Sequence, residues 1–549
     1  MLALAGAVFV LYGQVLRLWW THDDFFHLRT LLTYRPYWYF WSAADYRTMP
    51  AGLLTPLLFF SLDLDRRWLG LEPYPFRLHQ LVALSACVVA FYGVARLWLS
   101  RPWAGLAAWI FLVGPVTASL APLLMVRHYV ESLILAGLSL AAWVGALRRW
   151  PGATAWGPAG LSAALYFAAS MAKEIALPLV ALLPLLPSPG QPVALRVRLA
   201  LALPHVVAGA VYLVLRGALV GTGFGLYGFA VRTSDLPALG LELPAKIARE
   251  LGGGSLSAAV VVFAVALVAG IAALLLAPSG RRAVAVAGLA LMLAMLPVLP
   301  VSTVMEPRYA VPAWVVVVIA FMLGCRTLSE AGARRRRAAA VIALVASASG
   351  LMLNREDWRV RFAAVERISA ENRFVLEMRE GDVLRHPLAL GASLGELEWM
   401  KDAVFGRPRG GRWFQDDLFL CLHAGVPGRI SGWDPDARRV VDVTARVPEL
   451  RDRHCASIRS EAPLSAHFRV AGSDLFWQLG PHRSGKYRFV LDDGRVALPM
   501  PPRAGFHMAG RPVPLTLRVA YESPAGWVTY SPELSLRLVD GWTLRWARP

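Results

Sequence analysis

Apolar windows recur along the first two thirds of the chain and then stop. Runs near 2–20, 81–99, 103–121, 129–147, 157–172, 174–188, 198–216, 255–277, 283–300, 310–325 and 338–353 carry almost no charge. Most approach the ~20 residues a helix needs to cross a bilayer's hydrocarbon. The pattern predicts about eleven transmembrane helices, with the two beside Lys173 the shortest. After Leu353 the stretch "NREDWRVRFAAVERISAEN" sets charged and apolar residues at helical spacing. From Ser465 the period falls to two. "KYRFVLDDGRVAL" and "LSLRLVDGWTLRWA" each place an Asp-Gly between alternating runs, a hairpin signal. The expected fold is a polytopic α-helical membrane domain over 1–353. A soluble domain follows over 354–549, mixed at first and mainly β, sandwich-like, from about 465. No internal repeat is visible.

Composition agrees. Hydrophobic residues make up 56% of the chain, with 20 Trp, and the mean hydropathy is +0.49. A soluble protein of this length cannot be so apolar, because its surface must be solvated. The net charge of +19 is carried by arginine, since lysine occurs only at Lys173, Lys246, Lys401 and Lys486. Arg96/Arg101, Arg148/Arg149, Arg196/Arg198, Arg281/Arg282 and Arg334 to Arg337 fall between apolar windows. That placement argues for a positive-inside bias and against a nucleic-acid patch.

With the N-terminus cytoplasmic and the spans alternating, every one of those clusters falls inside. The loops 21–80, 217–254 and 301–309, and the C-terminal domain, then fall outside. The first apolar segment lacks a small-residue cleavage site and reads as a retained span. Cys87 and Cys325 lie in apolar windows and read as small buried hydrophobes. Cys421 and Cys455 lie in the C-terminal third and can pair if that third is outside the cytoplasm.

Candidate chemistry gathers at the outer ends of the windows. "WWTHDDFFHL" sets Asp23 and Asp24 between His22 and His27 among aromatic rings, just past the first window. Acidic residues often simply mark a helix end. Two in series beside apolar surface are costly unless a cation, a substrate or a proton-transfer role offsets them. A carboxylate there can take a proton from an acceptor hydroxyl. The aromatic "YRPYWYFWSAADYR" suits the headgroup level. Asp63, Asp65, Arg66 and Arg67 read as an interfacial salt-bridged turn, and His79 as a packed histidine at a helix start. Lys173–Glu174 is either a structural ion pair at a tight turn or a phosphate-facing lysine with its partner. Glu306, Arg308 and Tyr309, then Arg127, His128 and Glu131, and Arg216 occupy further external mouths. Arginine there can snorkel, or grip a phosphate with both arms of its guanidinium. The glycines of "GTGFGLYGF" allow a flexible or re-entrant backbone, and no complete dinucleotide fingerprint is present.

The order of these features resembles the GT-C superfamily of integral membrane glycosyltransferases, especially the protein O-mannosyltransferase-like and bacterial lipid-modifying branches. The resemblance rests on the Asp23–Asp24 pair, "GLEPYPFRLHQL", "AKEIALPL", "VYLVLRGALVGTG" and "EPRYAVP", over roughly 1–353. It implies inverting transfer of a sugar from a polyprenyl-phosphate donor to an acceptor hydroxyl on the extracytoplasmic face of, by analogy, a bacterial inner membrane. The C-terminal domain would then be periplasmic. Asp23 or Asp24 would activate the acceptor, which is a glycan, lipid or protein. Arg308, Lys173 and Arg127 would hold the departing phosphate, with Glu174, Glu306, Tyr309, Arg216 and His79 in support. Some relatives place a divalent metal, Mg or Mn, at the acidic site and others need none; Asp23, Asp24 and His22 would be its ligands here. Two other readings fit the spans: a lipid or polysaccharide transporter or flippase, and a non-catalytic envelope protein that binds glycan.

Overall fold

The computed structural model describes residues 1–48, 54–186, 192–221, 246, 248, 257–277, 280–298, 306–388, 391–423, 425, 428–472, 474–507 and 514–549. They form two compact units. One holds Met1–Arg17 and the described residues from Tyr34 to Phe362; the other holds Leu18–Thr33 and those from Ala363 to Pro549. The "GTGFGLYGF" stretch lies outside the described residues after Gly221.

The first unit is helical. Seven helices among the described residues are long and apolar enough to cross a membrane. They are Pro73–Ala95, Leu124–Arg149, Leu195–Val220, Ala258–Leu276, Gly280–Val298, Pro307–Glu330 and Ala333–Glu377. The chain is therefore an integral membrane protein. Eleven windows were expected, and the difference has a backbone cause. Leu2–Arg17, Arg101–Val113 and Glu174–Leu185 are apolar but shorter, and Trp156–Ala172 has 17 residues. Gly114 and Pro115 end the Arg101–Val113 helix. Around Pro178 and Pro184 the next window is broken into 3-10 and α pieces. Proline denies the helix a donor and turns the preceding residue away from α geometry. A hydropathy window does not register that punctuation.

On Ala258–Ala272, Val261, Val265 and Val268 are each more than half exposed, an outward stripe suited to lipid. The inward face of the same helix packs backbone to backbone. A Cβ on Gly324 would lie 1.8 Å from the carbonyl oxygen of Gly270. Small residues permit such close crossings where lipid removes the hydrophobic drive. Ser139, Ser162 and His205 form a buried hydrogen-bonded chain, with Ser162 Oγ 2.8 Å from His205 Nε2. Tyr37, Trp38, Trp41 and Trp68 remain exposed, as an interfacial aromatic loop requires.

The second unit opens with a mixed sheet. Val383–Arg385 pairs in parallel with Arg412–Phe414 and Ile430–Asp434, and Arg439–Asp442 adds an antiparallel edge. Helices Gly391–Ala403, Leu418–Leu422 and Val447–Ser457 accompany it. The disulfide Cys421–Cys455 ties the last two together, while Cys87 and Cys325 are buried free thiols. From Leu464 the chain is a β-sandwich. One sheet runs Val528–Tyr530, Leu515–Glu522, Lys486–Leu491, Val496–Met500, with Leu534–Leu536 also on Leu515–Glu522. The other runs Thr543–Arg548, Leu464–Ala471, Asp474–Gly480, Arg503–His507. Phe468, Trp477, Tyr487, Phe489 and Tyr521 fill the space between them and supply most of its apolar burial.

The first Asp-Gly forms the expected hairpin, Tyr487 opposite Met500 and Leu491 opposite Val496. The second does not. Leu534–Leu536 pairs with Leu515–Leu517, and Thr543–Arg548 pairs with Leu464–Arg469 in the other sheet. Asp540–Gly541 is a crossover between layers, pinned by Asp540 Oδ1 accepting from Gly472 N at 2.7 Å. Local turn chemistry cannot tell a hairpin from a corner when both need a left-handed glycine.

In the true hairpin Gly494 has φ +102°, and its carbonyl takes the amides of Gln415 and Asp416, both at 3.0 Å. A Cβ there would lie 2.9 Å from Asp416 O and Phe419 N. Gly494→Ala is expected to cost at least ~1–3 kcal/mol, lowering the melting temperature of the purified protein followed by intrinsic tryptophan fluorescence. An unchanged melting curve would show that this turn does not hold the Gln415–Asp417 segment.

Candidate active site

The acidic segment packs with the C-terminal residues that follow it by some 350 positions. Trp19 N donates to Ser369 Oγ at 2.7 Å, and Asn372 Nδ2 donates to Trp20 O at 3.0 Å. Arg29 grips both oxygens of Glu396 at 2.9 and 2.8 Å and lies over the Trp399 ring. Helix Asp24–Thr33 buries Phe25, Leu28 and Leu31, and the Trp19 ring meets Phe25 and Phe405. His22 adopts φ 47° just before it.

The two aspartates differ sharply. Asp24 is 3% exposed, and its Oδ2 accepts the Thr21 amide at 2.8 Å and the Thr21 hydroxyl at 3.3 Å. It caps the turn that starts the helix. Asp23 is half-buried. Its carbonyl receives His27 Nδ1–H at 2.8 Å, and its carboxylate makes no hydrogen bond or ion pair among the described residues. One carboxylate is therefore committed to structure and its neighbour is available. No group of three or more His, Cys, Asp or Glu among the described residues is placed to hold a metal ion.

Within the helical unit the charged mouths sort into two constellations sharing helix Arg127–Arg149. The first surrounds Arg127, which is fully buried. Its Nη1 donates to Asp65 Oδ2 at 2.5 Å, its Nη2 to Phe76 O at 2.8 Å and its Nε to Gln80 Oε1 at 3.4 Å. His79 Nδ1 meets the other Asp65 oxygen at 2.6 Å. Glu131, one turn along, lies near the same arginine, and its Oε2 has no hydrogen-bond partner among the described residues. Asp63 on helix Pro56–Leu69 pairs instead with Arg66 at 2.7 Å and with Arg67. The expected salt-bridged turn is thus half helix-surface pairing and half a buried anchor.

The second constellation joins Lys173, Arg216 and Arg308. Lys173 closes helix Trp156–Ala172 in an extended conformation, 1% exposed, with Nζ 2.8 Å from Glu174 Oε1 and 5.4 Å from the Tyr129 ring centre. Arg216 sits in the last turn of Leu195–Val220, 2% exposed, and donates to Tyr212 Oη at 3.3 Å. Arg308 lies on the 3-10 turn entering Val311–Glu330 and meets Glu306 at 2.5 Å and Tyr309 Oη at 3.5 Å. Both arginines act electrostatically on Lys173, and Arg216 also acts on Glu174. Among the described residues, three cations thus share a site with Glu174 and Glu306. Tyr129 and Tyr212 line it without having drawn notice in the sequence, where a lone tyrosine in an apolar window looks like core.

No family model and no curated protein matches the chain. Solved structures do. ArnT from Cupriavidus metallidurans bound to undecaprenyl phosphate is 15% identical, with 81% of this chain and 94% of that one covered at a TM-score of 0.43. The Archaeoglobus fulgidus oligosaccharyltransferase in complex with Zn and sulfate is 9% identical over 99% and 94%, at 0.45. The same organism's AglB with an inhibitory peptide and a dolichol-phosphate is 9% identical over 99% and 93%, at 0.39. At identities and TM-scores this low, the likeness decides neither the reaction nor any residue's role.

The different commitments of these side chains are measurable as stability. Arg127→Ala strands Asp65 in an apolar setting and is expected to cost about 3–5 kcal/mol. Asp24→Asn is expected to cost ~1–2 kcal/mol through its weakened cap, and Asp23→Asn within ~0.5 kcal/mol of nothing. Differential scanning fluorimetry in detergent checks the ranking; equal losses at Asp23 and Asp24 would contradict it.

Proposed function

We propose that the chain is an inverting glycosyltransferase that moves a sugar from a polyprenyl-phosphate donor to an acceptor hydroxyl on the extracytoplasmic face. The observation that carries this reading is the gathering of Lys173, Arg216 and Arg308, three buried or largely buried cations, around Glu174 and Glu306. Cations gathered at membrane depth suit an anionic group, which offsets their mutual repulsion. A lipid phosphate fits that requirement, because its headgroup is anionic and its tail can stay in hydrocarbon.

In this reading the acceptor oxygen attacks the anomeric carbon from the face opposite the phosphate. The carbon–oxygen bond to the phosphate breaks, and its electron pair leaves with the polyprenyl phosphate, which gains one negative charge. Lys173, Arg216 and Arg308 stabilise that charge where it develops. The hydroxyl proton passes to Asp23, whose carboxylate has no other hydrogen-bond partner among the described residues. Asp24 keeps the turn that presents Asp23. Arg127 and His79, both engaged by Asp65, hold helix ends in place and support the site. The Cys421–Cys455 disulfide favours an oxidising compartment for the C-terminal unit, as the charge-derived topology requires.

Asp23→Asn is expected to lower transfer from a synthetic polyprenyl-phosphate sugar by at least ~100-fold, with donor binding retained. Wild-type turnover in that variant would sink the assignment. Orientation has its own check. Alkylation of the denatured, unreduced protein from its native membrane should label two of the four cysteines, Cys87 and Cys325, and all four after reduction. Four labels before reduction would place the C-terminal unit in a reducing compartment.

A further inference from the structure

The second unit contains a cleft of about 310 Å³ that the transfer chemistry does not use. It opens where the mixed sheet, helix Val447–Ser457 and the sandwich meet. Asp417 faces it with both oxygens engaged. Arg385 Nε and Nη2 donate to them at 2.9 and 2.5 Å, and His386 Nε2 lies 2.9 Å from Oδ1. Beside it Asp416 is 2% exposed. Its Oδ1 accepts the Tyr530 hydroxyl at 2.6 Å; Oδ2 lies 3.1 Å from Arg488 Nη2 but receives no well-directed hydrogen bond. Arg488 also reaches Glu522 at 2.9 Å, and its buried Nε has no hydrogen-bond partner among the described residues.

Three features distinguish this from packing cement. His386 is held at φ 51°, a left-handed conformation that histidine adopts at a cost and that gathers at functional positions. The disulfide clamps the helix after Asp417 to the helix carrying His454, fixing two walls against each other. Acceptor and donor atoms are buried with capacity left over, which a folded protein normally avoids. The ligand class follows from charge. The lining holds Arg385, Arg453 and Arg488 against Asp416, Asp417 and Glu522, so the cleft carries no excess charge to attract an ion. Burial pushes the Asp417 carboxyl up, but His386 and Arg385 outweigh it and hold it well below the usual range. Burial holds the His454 imidazole below its usual range, so it is neutral at pH 7. Because Tyr530 gives its only proton to Asp416, the 3.0 Å contact with His454 Nε2 has the histidine donating.

We propose that this cleft binds a neutral pyranose ring, one sugar unit of a glycan, through paired hydroxyls that donate to carboxylates and accept from guanidinium and imidazole groups. A hydroxyl is both donor and acceptor, and neighbouring hydroxyls on a ring match a lining where acids and bases alternate. The volume sits at the small end of ligand cavities, as a single sugar unit requires. The proposal does not depend on the transfer reaction, since the cleft lies wholly among residues 385–528.

The test is ligand-observed saturation-transfer NMR on the full chain in nanodiscs. Methyl pyranosides of glucose, galactose and mannose, and N-acetylglucosamine, form one arm; inorganic phosphate and glucuronate form the other. At least one neutral sugar is expected to bind at about millimolar Kd, weakened at least tenfold in Glu522→Gln and in Asp417→Asn. His386→Ala, at a partly exposed position, is the second variant should Asp417→Asn lower the melting temperature. Silence from all four neutral sugars at tens of millimolar overturns the proposal. So does tighter binding of phosphate or glucuronate, or neutral-sugar binding that none of the three variants changes. Loss of Asp23-dependent transfer would leave this result untouched, so the two readings fail separately.

Discussion

The helical unit is organised by the cost of charge in an apolar solvent. Arg127 is wholly buried, and every direction in which its guanidinium points is met: Asp65, Gln80 and the carbonyl of Phe76. Asp65 in turn holds His79 at the start of Pro73–Ala95. One helix mouth is thereby closed by a network in which the buried arginine is fully engaged. The neighbouring network around Lys173 is built from the same residue types but gathers three cations, Lys173, Arg216 and Arg308, where the first has one buried arginine. That gathering of like charge, rather than residue identity, separates the proposed binding site from the anchor.

The acidic segment follows the opposite logic. Asp24 is buried because a backbone amide and a hydroxyl receive it, and this fixes the turn on which Asp23 stands. The segment is further held by Ser369 and Asn372 on the last long helix and by Glu396 on Gly391–Ala403. A second adjacent pair, Asp416 and Asp417, is held differently in the C-terminal unit, with both carboxylates engaged. There the partners are arginines and histidines, and the surplus is of hydrogen-bonding capacity rather than of charge.

Much of this was legible in the residues. Hydropathy located the long apolar helices. The strand period located the sandwich, and Asp492–Asp493–Gly494 its hairpin. What escaped has physical reasons. Pro115, Pro178 and Pro184 shorten two of the apolar windows without changing their hydropathy, one reason that seven long helices among the described residues stand against eleven windows. Asp540–Gly541 turns a corner between sheets because the partners of its strands lie 17 to 84 residues away. The attachment of Trp19, Trp20 and Arg29 to residues beyond 360 is a long-range contact with no local signature. The roles of Asp23 and Asp24 could not be separated in sequence, since burial and the contacts with Thr21 that distinguish them belong to the folded turn.

The central claim is that the Lys173–Arg216–Arg308 cluster holds the donor's phosphate. Binding of a polyprenyl phosphate to the purified protein, followed by native mass spectrometry, tests it most directly with two variants of one ion pair. Arg308→Gln should weaken binding about 10–100-fold, the loss of one charge-assisted hydrogen bond. Glu306→Gln, which removes the competing carboxylate, should leave binding equal or tighter. Equal weakening in both variants, or no change in either, would contradict the account.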